Sequence, residues 1–257
     1  MVMKRILLLC AVLILGWTVA NAQETTPLSR WEAAANAYSE GEWQQALDLY
    51  QALEAEGFQS AELDYNMANC YYKLGGSLGA SILHYERALK QNPRFEDAAF
   101  NLALAQQQTL DRIDQIPEFV LVKVLRNIRQ FFSADAWARA SLVLFALGLV
   151  CLLGLRYGRT LRLRKTAFVL SVILVLFAIF AGCFGFGAKQ AALRDDQAVV
   201  MATVSSVKSS PSTSGNNLFV LHEGTKVGVL ETLGKWMRIE LADGRQGWIQ
   251  TQEAEII

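Results

Sequence analysis

Two long apolar stretches, 140–155 and 166–188, contain no charged side chain. A helix rises about 1.5 Å per residue, so the 23 residues of the second stretch reach roughly 34 Å, enough to cross a hydrocarbon core of about 30 Å. A helix in a soluble core rarely needs an apolar surface on every side. We therefore predict transmembrane helices over 137–157 and 166–188, with Trp137 and Tyr157 at the headgroup levels. The alternative is a buried helical hairpin in a soluble protein.

The segment RYGRTLRLRK lies between these stretches and carries five cations and no acid, although the whole chain has 24 basic and 24 acidic residues. Short loops rich in Lys and Arg stay on the cytoplasmic side of a membrane. We therefore predict a cytoplasmic basic loop over 158–165. A nucleic-acid site is disfavoured because so short a connector has no fold to present one. The predicted topology determinants are Arg156, Arg159, Arg162, Arg164 and Lys165.

The N-terminus is typical of a secretory signal peptide over 1–22, with basic MVMKR, apolar ILLLCAVLILGW and a small-residue ANA before the cleavage site. Cleavage would place the next segment outside the cytoplasm, and the basic loop predicts the same topology. We expect a multi-pass protein of the bacterial inner membrane with both soluble domains in the periplasm. Cys70 is then the only cysteine in the soluble domains, which excludes a disulfide within them.

The segment 23–110 repeats with a period of about 34 residues. AAANAYSEGEWQQALDLYQAL and MANCYYKLGGSLGASILHYERAL share small residues and aromatic residues at matching positions, with Ala34 and Ala68 34 residues apart. Gly41 and Gly75 are expected to end the first helix of each pair. The pattern resembles the tetratricopeptide repeat, with two full repeats and the first helix of a third. This segment has five basic and twelve acidic residues, and such an excess of negative charge disfavours nucleic-acid binding.

The resemblance implies a concave binding face formed by the first helix of each pair. Asn69 and Asn101 match positions where peptide-clamping members of the superfamily hold a peptide backbone. A Lys expected one turn before Asn69 is replaced by Tyr65. The same residues could instead be solvated polar side chains without a ligand. The predicted partner-binding groove comprises Tyr65, Asn66, Asn69, Tyr72, Lys73, Asn101 and Gln108.

Two short motifs suggest catalysis but lack the rest of a catalytic site. GGSLG around Ser77 matches the nucleophile elbow of hydrolases, which requires a preceding strand, whereas here the turn is predicted between helices. SSVK at 205–208 matches S-x-x-K without its companion motifs. We therefore predict no catalytic residues, no cofactor and no metal ligands.

The segment 111–136 is predicted to be an amphipathic connector helix opened by Pro117. Leu121, Val124, Leu125 and Ile128 recur at helical spacing, with cations on the opposite side. The helix could lie in the membrane interface or cap the exposed end of the repeats.

The segment 189–257 alternates short apolar runs with turn residues such as ADGR, which predicts an all-β domain. Its order of motifs, including EGTKV and GRQGWI, resembles bacterial SH3-like barrels. Phe219, Trp236 and Trp248 are its aromatic residues, and Trp248 is expected in the core. Some such barrels bind peptidoglycan, and that ligand stays open here.

The sequence thus predicts a multidomain membrane protein with an α-helical tetratricopeptide-repeat domain, a two-helix transmembrane hairpin and a C-terminal all-β SH3-like barrel. This arrangement resembles the BatE-like proteins of the Bacteroides aerotolerance (Bat) family. The resemblance implies a role beside membrane-anchored von Willebrand-type proteins and a MoxR-type ATPase. We expect a non-enzymatic adaptor that binds membrane-anchored partners and lipid on the periplasmic side and is linked to aerotolerance or envelope stress. The alternative is a cell-wall sensor whose SH3-like domain binds peptidoglycan.

Overall fold

The structure is a computed structural model that describes residues 26–113, 119–194 and 196–257. The predicted signal peptide over 1–22 and Pro117 lie outside these residues. The chain divides into two compact units, Met1–Phe58 and Gln59–Ile257.

The first unit contains the helices α1 (Pro27–Ser39) and α2 (Trp43–Ala55). Thr26 caps α1, because its side chain accepts a hydrogen bond from the Ser29 backbone N–H, and Pro27 fits the first turn, where no donor is needed. Within the pair, Trp31 and Tyr50 meet edge to face with ring centroids 5.4 Å apart. The small-residue and aromatic pattern therefore packs this helix pair.

The second unit begins with three helices, α3 (Ala61–Leu74), α4 (Leu78–Gln91) and α5 (Glu96–Gln106). Gly75 ends α3 in the left-handed conformation at φ 69°, as the sequence predicts. Ser81 of α4 donates a hydrogen bond to the Ala68 carbonyl at 3.0 Å, and both residues are fully buried. These contacts confirm a helical N-terminal region whose helices approach closely at small residues.

The connector contains a shorter helix than the sequence predicts, α6 (Val120–Gln130), and none of its residues is buried. Its apolar side therefore does not cover the end of the helical stack. α6 is followed by two long apolar helices, α7 (Ala134–Tyr157) and α8 (Leu161–Ala192). Both are long and apolar enough to cross a membrane by length and composition, and most of their apolar side chains are exposed.

The basic segment between α7 and α8 is mostly helical. α8 begins at Leu161 with Thr160 as its N-cap, so Arg162, Arg164 and Lys165 lie in its first turns. The non-helical connection is limited to 158–160, where Arg164 Nε donates to the Gly158 carbonyl at 2.8 Å. The five predicted cations therefore cluster at the same end of the helix pair.

α7 and α8 pack through small residues. A Cβ added at Gly148 would lie 3.2 Å from Val175 Cγ2, so the backbone of α7 approaches α8 closely there. Ser141 Oγ donates to the Ala178 carbonyl at 2.8 Å, and Ala178 and Ala181 are buried. Close approach at Gly, Ala and Ser is the usual way in which membrane helices associate.

The C-terminal part is a seven-stranded antiparallel sheet with the strand order β3-β2-β6-β5-β4-β1-β7. The strands and a 3₁₀ helix at 251–253 follow α8 in the chain. The strand bounds are β1 (Gln197–Val200), β2 (Val204–Lys208), β3 (Asn217–His222), β4 (Lys226–Leu233), β5 (Trp236–Glu240), β6 (Gln246–Gln250) and β7 (Ala254–Ile256).

Alternation along the strands builds the core of this sheet. Met237 and Ile239 of β5 are buried, whereas Trp236 and Arg238 are half-buried and face away from the core. Gly244, at φ 84°, closes the turn to β6 within the predicted ADGR hairpin. The expectation that Trp248 lies in the core is wrong. Trp248 is half-buried on the outer face, and its neighbour Ile249 enters the core.

Helix α4 packs directly on this sheet. Val199 of β1 and Ile257 belong to the same buried cluster as Ile82 and Leu83 of α4. A Cβ added at Gly224 in the β3–β4 turn would lie 2.9 Å from Ile82 Cδ1, so this turn rests on the helix. Val199 and Ile257 therefore extend the core of α3–α5 onto the sheet, which also has a core cluster of its own around Met237 and Ile239.

Polar contacts fix the orientation of α4 on the sheet. The Glu223 carboxylate accepts hydrogen bonds from Ser77 Oγ at 2.9 Å and from the Gly79 backbone N–H at 2.8 Å, at the positive end of the α4 dipole. Lys226 forms a 2.6 Å ion pair with Glu86 of α4. These directed contacts supplement the apolar core with a defined orientation.

The segment after α5 also joins the sheet. The Asp111 carboxylate accepts hydrogen bonds from the His222 backbone N–H and Thr225 Oγ1, each at 2.6 Å, and lies 2.8 Å from His222 Nδ1. Burial raises the pKa of the Asp111 carboxyl, but the hydrogen bonds from Thr225 and His222 outweigh it and hold that pKa below its usual value. The ionised Asp111 carboxylate therefore holds the β3–β4 turn against the segment that follows α5.

Candidate binding surfaces

The seven residues of the predicted groove lie on α3 and α5 or directly after α5. Asn69 and Asn101 meet across the two helices, with Asn101 Nδ2 donating to Asn69 Oδ1 at 3.0 Å. Asn69 Oδ1 also accepts from the buried Tyr85 hydroxyl at 2.6 Å, and Asn101 Nδ2 lies 3.3 Å from the Tyr65 hydroxyl. The structure thus brings together the two asparagines that the sequence singles out.

A second pair lies along the same face. Gln108 Nε2 donates to the Tyr72 hydroxyl at 2.6 Å, and both Tyr65 and Tyr72 are half-buried against the core. Asn66 is half-buried, and Lys73 is exposed next to the end of α3. We call the surface formed by these seven residues the polar face.

The hydrogen bonds within the polar face leave specific groups available. An asparagine side chain offers a carbonyl acceptor and two N–H donors. Within the described part of the chain, no hydrogen bond reaches Asn69 Nδ2 or Asn101 Oδ1. The amide N–H group of Asn69 on α3 and the carbonyl acceptor of Asn101 on α5 are therefore both available to a ligand. This arrangement complements the C=O and N–H groups of an extended peptide backbone.

The outer face of the sheet offers a different surface. Arg238 of β5 pairs with Trp248 of β6, and Lys208 of β2 pairs with Trp248 from the other side. Trp236 lies on the same face, two residues before Arg238 along β5. Arg238 is held by Glu231 at 3.0 Å. Two half-buried indole rings are thus placed among charged and amide groups, a combination suited to binding a ligand that is partly apolar.

A second part of this outer face is more apolar. Leu218 and Val220 of β3 are exposed there, whereas Phe219 between them packs against the core of the sheet, with Arg245 over its ring at 4.8 Å from the centroid. We refer to the surface around Trp236, Trp248 and Arg238 as the aromatic face.

The residues of the two catalytic-looking motifs have structural contacts. Ser77 is the N-cap of α4 and accepts from the Ala80 backbone N–H at 3.2 Å while donating to Glu223. Ser205 is fully buried and donates to Glu253 at 2.7 Å.

Burial raises the pKa of the Cys70 thiol to about 12, so Cys70 is protonated and unreactive at neutral pH.

The geometry of the sheet agrees with a comparison of the chain with known families. Residues 203–254 match the bacterial SH3 domain. The antiparallel sheet is accordingly consistent with an SH3-like domain, as the sequence predicts, and such a domain suggests binding of protein or peptidoglycan. No curated protein matches the chain.

Sequence reasoning did not find the junction between α4 and the sheet. Ser77 and Glu223 are 146 residues apart, and no local pattern links them. A signal was nevertheless present, because EGT at 223–225 and the serine at position 77 are strong capping and turn residues. Only the folded structure shows that Ser77 and Glu223 contact each other.

Proposed function

We propose that this protein is a non-enzymatic, membrane-anchored adaptor that binds protein partners through the polar face. The helices α1–α5 form two tetratricopeptide repeats and the first helix of a third in this proposal. The observation that carries it is the available donor and acceptor on Asn69 and Asn101. Lys73 adds an exposed cation at the end of the face, which favours a partner segment with an acidic side chain.

The test is photo-crosslinking in intact cells. A photoreactive amino acid replaces exposed Lys73 on the polar face, and the matched control replaces Ala99, which is also exposed and lies on the opposite side of α5. We expect crosslinked protein partners from position 73 and none from position 99. Equal yields from both positions would contradict a dedicated face.

A variant then tests the hydrogen-bonding mechanism. Asn101→Ala removes the free acceptor, and a hydrogen bond contributes about 0.5–1.5 kcal/mol net, so affinity for the crosslinked partner should fall by roughly two- to tenfold. Asn101 is preferred to Asn69, because Asn69→Ala would also remove an acceptor that the buried Tyr85 hydroxyl uses. Gln107→Ala, at an exposed position directly after α5, is the control and should bind normally.

The cellular setting is part of the proposal. We infer that α7 and α8 span the bacterial inner membrane, with the cations from Arg156 to Lys165 in the cytoplasm and both soluble parts in the periplasm. An impermeant maleimide applied to intact cells should label Ser214→Cys, which is in an exposed turn, and should label Arg159→Cys only after permeabilisation. Labelling in the opposite order would reverse the topology.

The choice of partners follows the resemblance to the Bacteroides aerotolerance family. Membrane-anchored von Willebrand-type proteins are the proposed partners, with a role in aerotolerance or envelope stress. Mass spectrometry of the products crosslinked at position 73 tests this assignment. Recovery of unrelated soluble proteins alone would contradict it.

A second candidate function is supported by the aromatic face. Trp236 and Trp248 offer half-buried rings beside Arg238 and Gln246, and the bacterial SH3 match is compatible with peptidoglycan as well as protein. The chain would then act as a cell-wall sensor. Purified chain in nanodiscs should sediment with isolated sacculi, and a Trp236→Ala, Trp248→Ala variant should remain in solution. If neither protein sediments, this function is excluded.

A further inference from the structure

Helix α6 has an apolar side that no other part of the described structure covers. Leu121, Val124, Leu125 and Ile128 follow the i, i+3, i+4, i+7 spacing of one helix face. Each is exposed by more than a third, and no residue of α6 is buried. A row of four large aliphatic side chains in water is unfavourable, because removing apolar surface from water is the main favourable term in folding and association.

The opposite side of α6 is basic. Lys123, Arg126 and Arg129 are its charged residues, and the helix contains no acid. Arg126 and Arg129 line a cleft together with residues from the ends of α4 and α8. Arg126 and Arg129 thus border an open cleft at this end of the protein, and the apolar stripe is directed elsewhere.

The end of α6 is fixed to the start of the first long apolar helix. The Trp137 indole N–H donates to the Arg129 carbonyl at 3.0 Å, and the Phe132 ring packs edge to face on Trp137 at 5.2 Å. Arg94, from the segment between α4 and α5, donates to the Phe131 carbonyl at 2.9 Å and lies over the Phe131 ring. The apolar stripe therefore ends beside the apolar surface of α7.

These observations select one occupant. A peptide partner or a second copy of this chain would explain the apolar stripe, but neither would explain why the stripe is attached to the end of α7. A lipid surface carrying negative headgroups satisfies all three features. We propose that α6 lies in the outer interface of the membrane, with its apolar stripe among the acyl chains and its cations among anionic phospholipid headgroups. This inference rests on the proposed membrane spans.

The test uses the full chain in nanodiscs with a fluorophore at single introduced cysteines. Cys151→Ala removes a half-buried thiol and Cys183→Ala an exposed one, Cys70 is buried and unreactive, and the remaining Cys10 is replaced by Ala if the predicted signal peptide is retained. The label replaces Leu121 on the apolar stripe or Lys123 on the basic side. A quencher attached to lipid acyl chains should quench the label at 121, whereas an aqueous quencher should act mainly at 123. Equal aqueous quenching at both positions would overturn the proposal.

A third label separates this inference from the proposed spans. Phe145→Cys lies in α7 with its side chain exposed. If lipid quenches the label at 145 but not at 121, the spans stand and the interfacial helix is wrong. If neither label is quenched by lipid, the proposed membrane anchoring itself has failed. A disulfide between two chains at Leu121→Cys, together with protection from the lipid quencher, would show a second copy as the occupant and also overturn the proposal.

The headgroup preference has its own readout. Each Lys or Arg near an anionic surface should favour the docked helix about fivefold. Lipid quenching at 121 should therefore increase when phosphatidylglycerol replaces part of the phosphatidylcholine. The Lys123→Gln, Arg126→Gln, Arg129→Gln variant should lose this increase, and an unchanged increase would contradict the role of the cations.

Discussion

The contact between α4 and the sheet, which we call the junction, differs from the contact between α7 and α8 in the polar groups that accompany its apolar packing. The junction surrounds its apolar core with ion pairs and charge-assisted hydrogen bonds, including those of Glu223 and Lys226. Between α7 and α8, the hydrogen bond from Ser141 to the Ala178 carbonyl accompanies packing at Gly and Ala. In water, apolar burial drives association and polar contacts specify it. Between helices in lipid, close van der Waals packing replaces that driving force.

The largest effect is expected from removing a side chain at the centre of the junction. Ile82 is fully buried against the β3–β4 turn, so Ile82→Ala should lower the free energy of unfolding by about 2–5 kcal/mol. The control Leu176→Ala removes a similar side chain from an exposed position on α8 and should change stability little. Urea unfolding of the full chain in nanodiscs, followed by tryptophan fluorescence, compares them. Equal losses of unfolding free energy in the two variants would show that the junction contributes no more to stability than the exposed surface of α8.

Packing between α7 and α8 should be sensitive to added volume. Gly148→Leu introduces atoms where Val175 Cγ2 is already close, and overpacking of this kind costs typically 1–3 kcal/mol. Ala146→Leu adds the same atoms at an exposed position of α7 and is the matched control. The melting temperature in nanodiscs should fall for the first variant alone. A fall of equal size in the control would indicate that the helix surface, rather than the contact, is responsible.

A smaller effect is expected from the polar cap of the junction. Glu223→Ala removes the acceptor for the Gly79 N–H, and the loss of a helix cap costs about 0.5–2 kcal/mol. Glu231→Ala is the control, because it removes an exposed carboxylate of the same sheet whose ion pair with Arg238 contributes little. Hydrogen exchange at the first turn of α4 should accelerate in the Glu223 variant only. Unchanged exchange there would show that the apolar core alone holds the junction.

The smallest effect is a pH dependence of the junction. The pKa of Asp111 is lower in the folded chain than in the unfolded one, so the unfolded state takes up the proton more readily as pH falls. The stabilisation is complete above the usual carboxyl pKa of about 3.9 and is lost as pH falls through the lower folded value. Urea midpoints measured from neutral pH downward should drop less steeply for Asp111→Asn. Parallel pH profiles would show that this clamp does not contribute.

Several features of the fold were predictable because their signals are local. Gly75 was expected to end the helix that it does end, α3, and the long apolar runs predicted α7 and α8. The bounds were less predictable, since Thr160 caps α8 earlier than the apolar pattern begins. Trp248 was misplaced because its large apolar ring suggests burial, whereas the pleat gives the inward position to Ile249.

For the candidate site, too, the sequence predicted local features but not the contacts between side chains. Repeat spacing placed Asn69 and Asn101 on one face, but it could not show that they bond to each other or that the Tyr85 hydroxyl occupies the same acceptor. Those hydrogen bonds increase the loss of folding stability that is expected when Asn69 is substituted, because Asn69 accepts a hydrogen bond from the buried Tyr85 hydroxyl. Distances across a helix pair depend on how closely the backbones approach, and the identity of neighbouring side chains sets that approach.

The sequence by itself determined the apolar helices, the amphipathic stripe of α6 and the inward positions of the strands, since hydrophobic periodicity is a property of neighbouring residues. Only the tertiary structure decided that the sheet rests on α4, that Glu223 caps that helix and that Asp111 holds the β3–β4 turn. Asp111 and His222 are 111 residues apart. Their meeting depends on the complementary shape of two folded surfaces, which no repeat or alternation within either segment encodes.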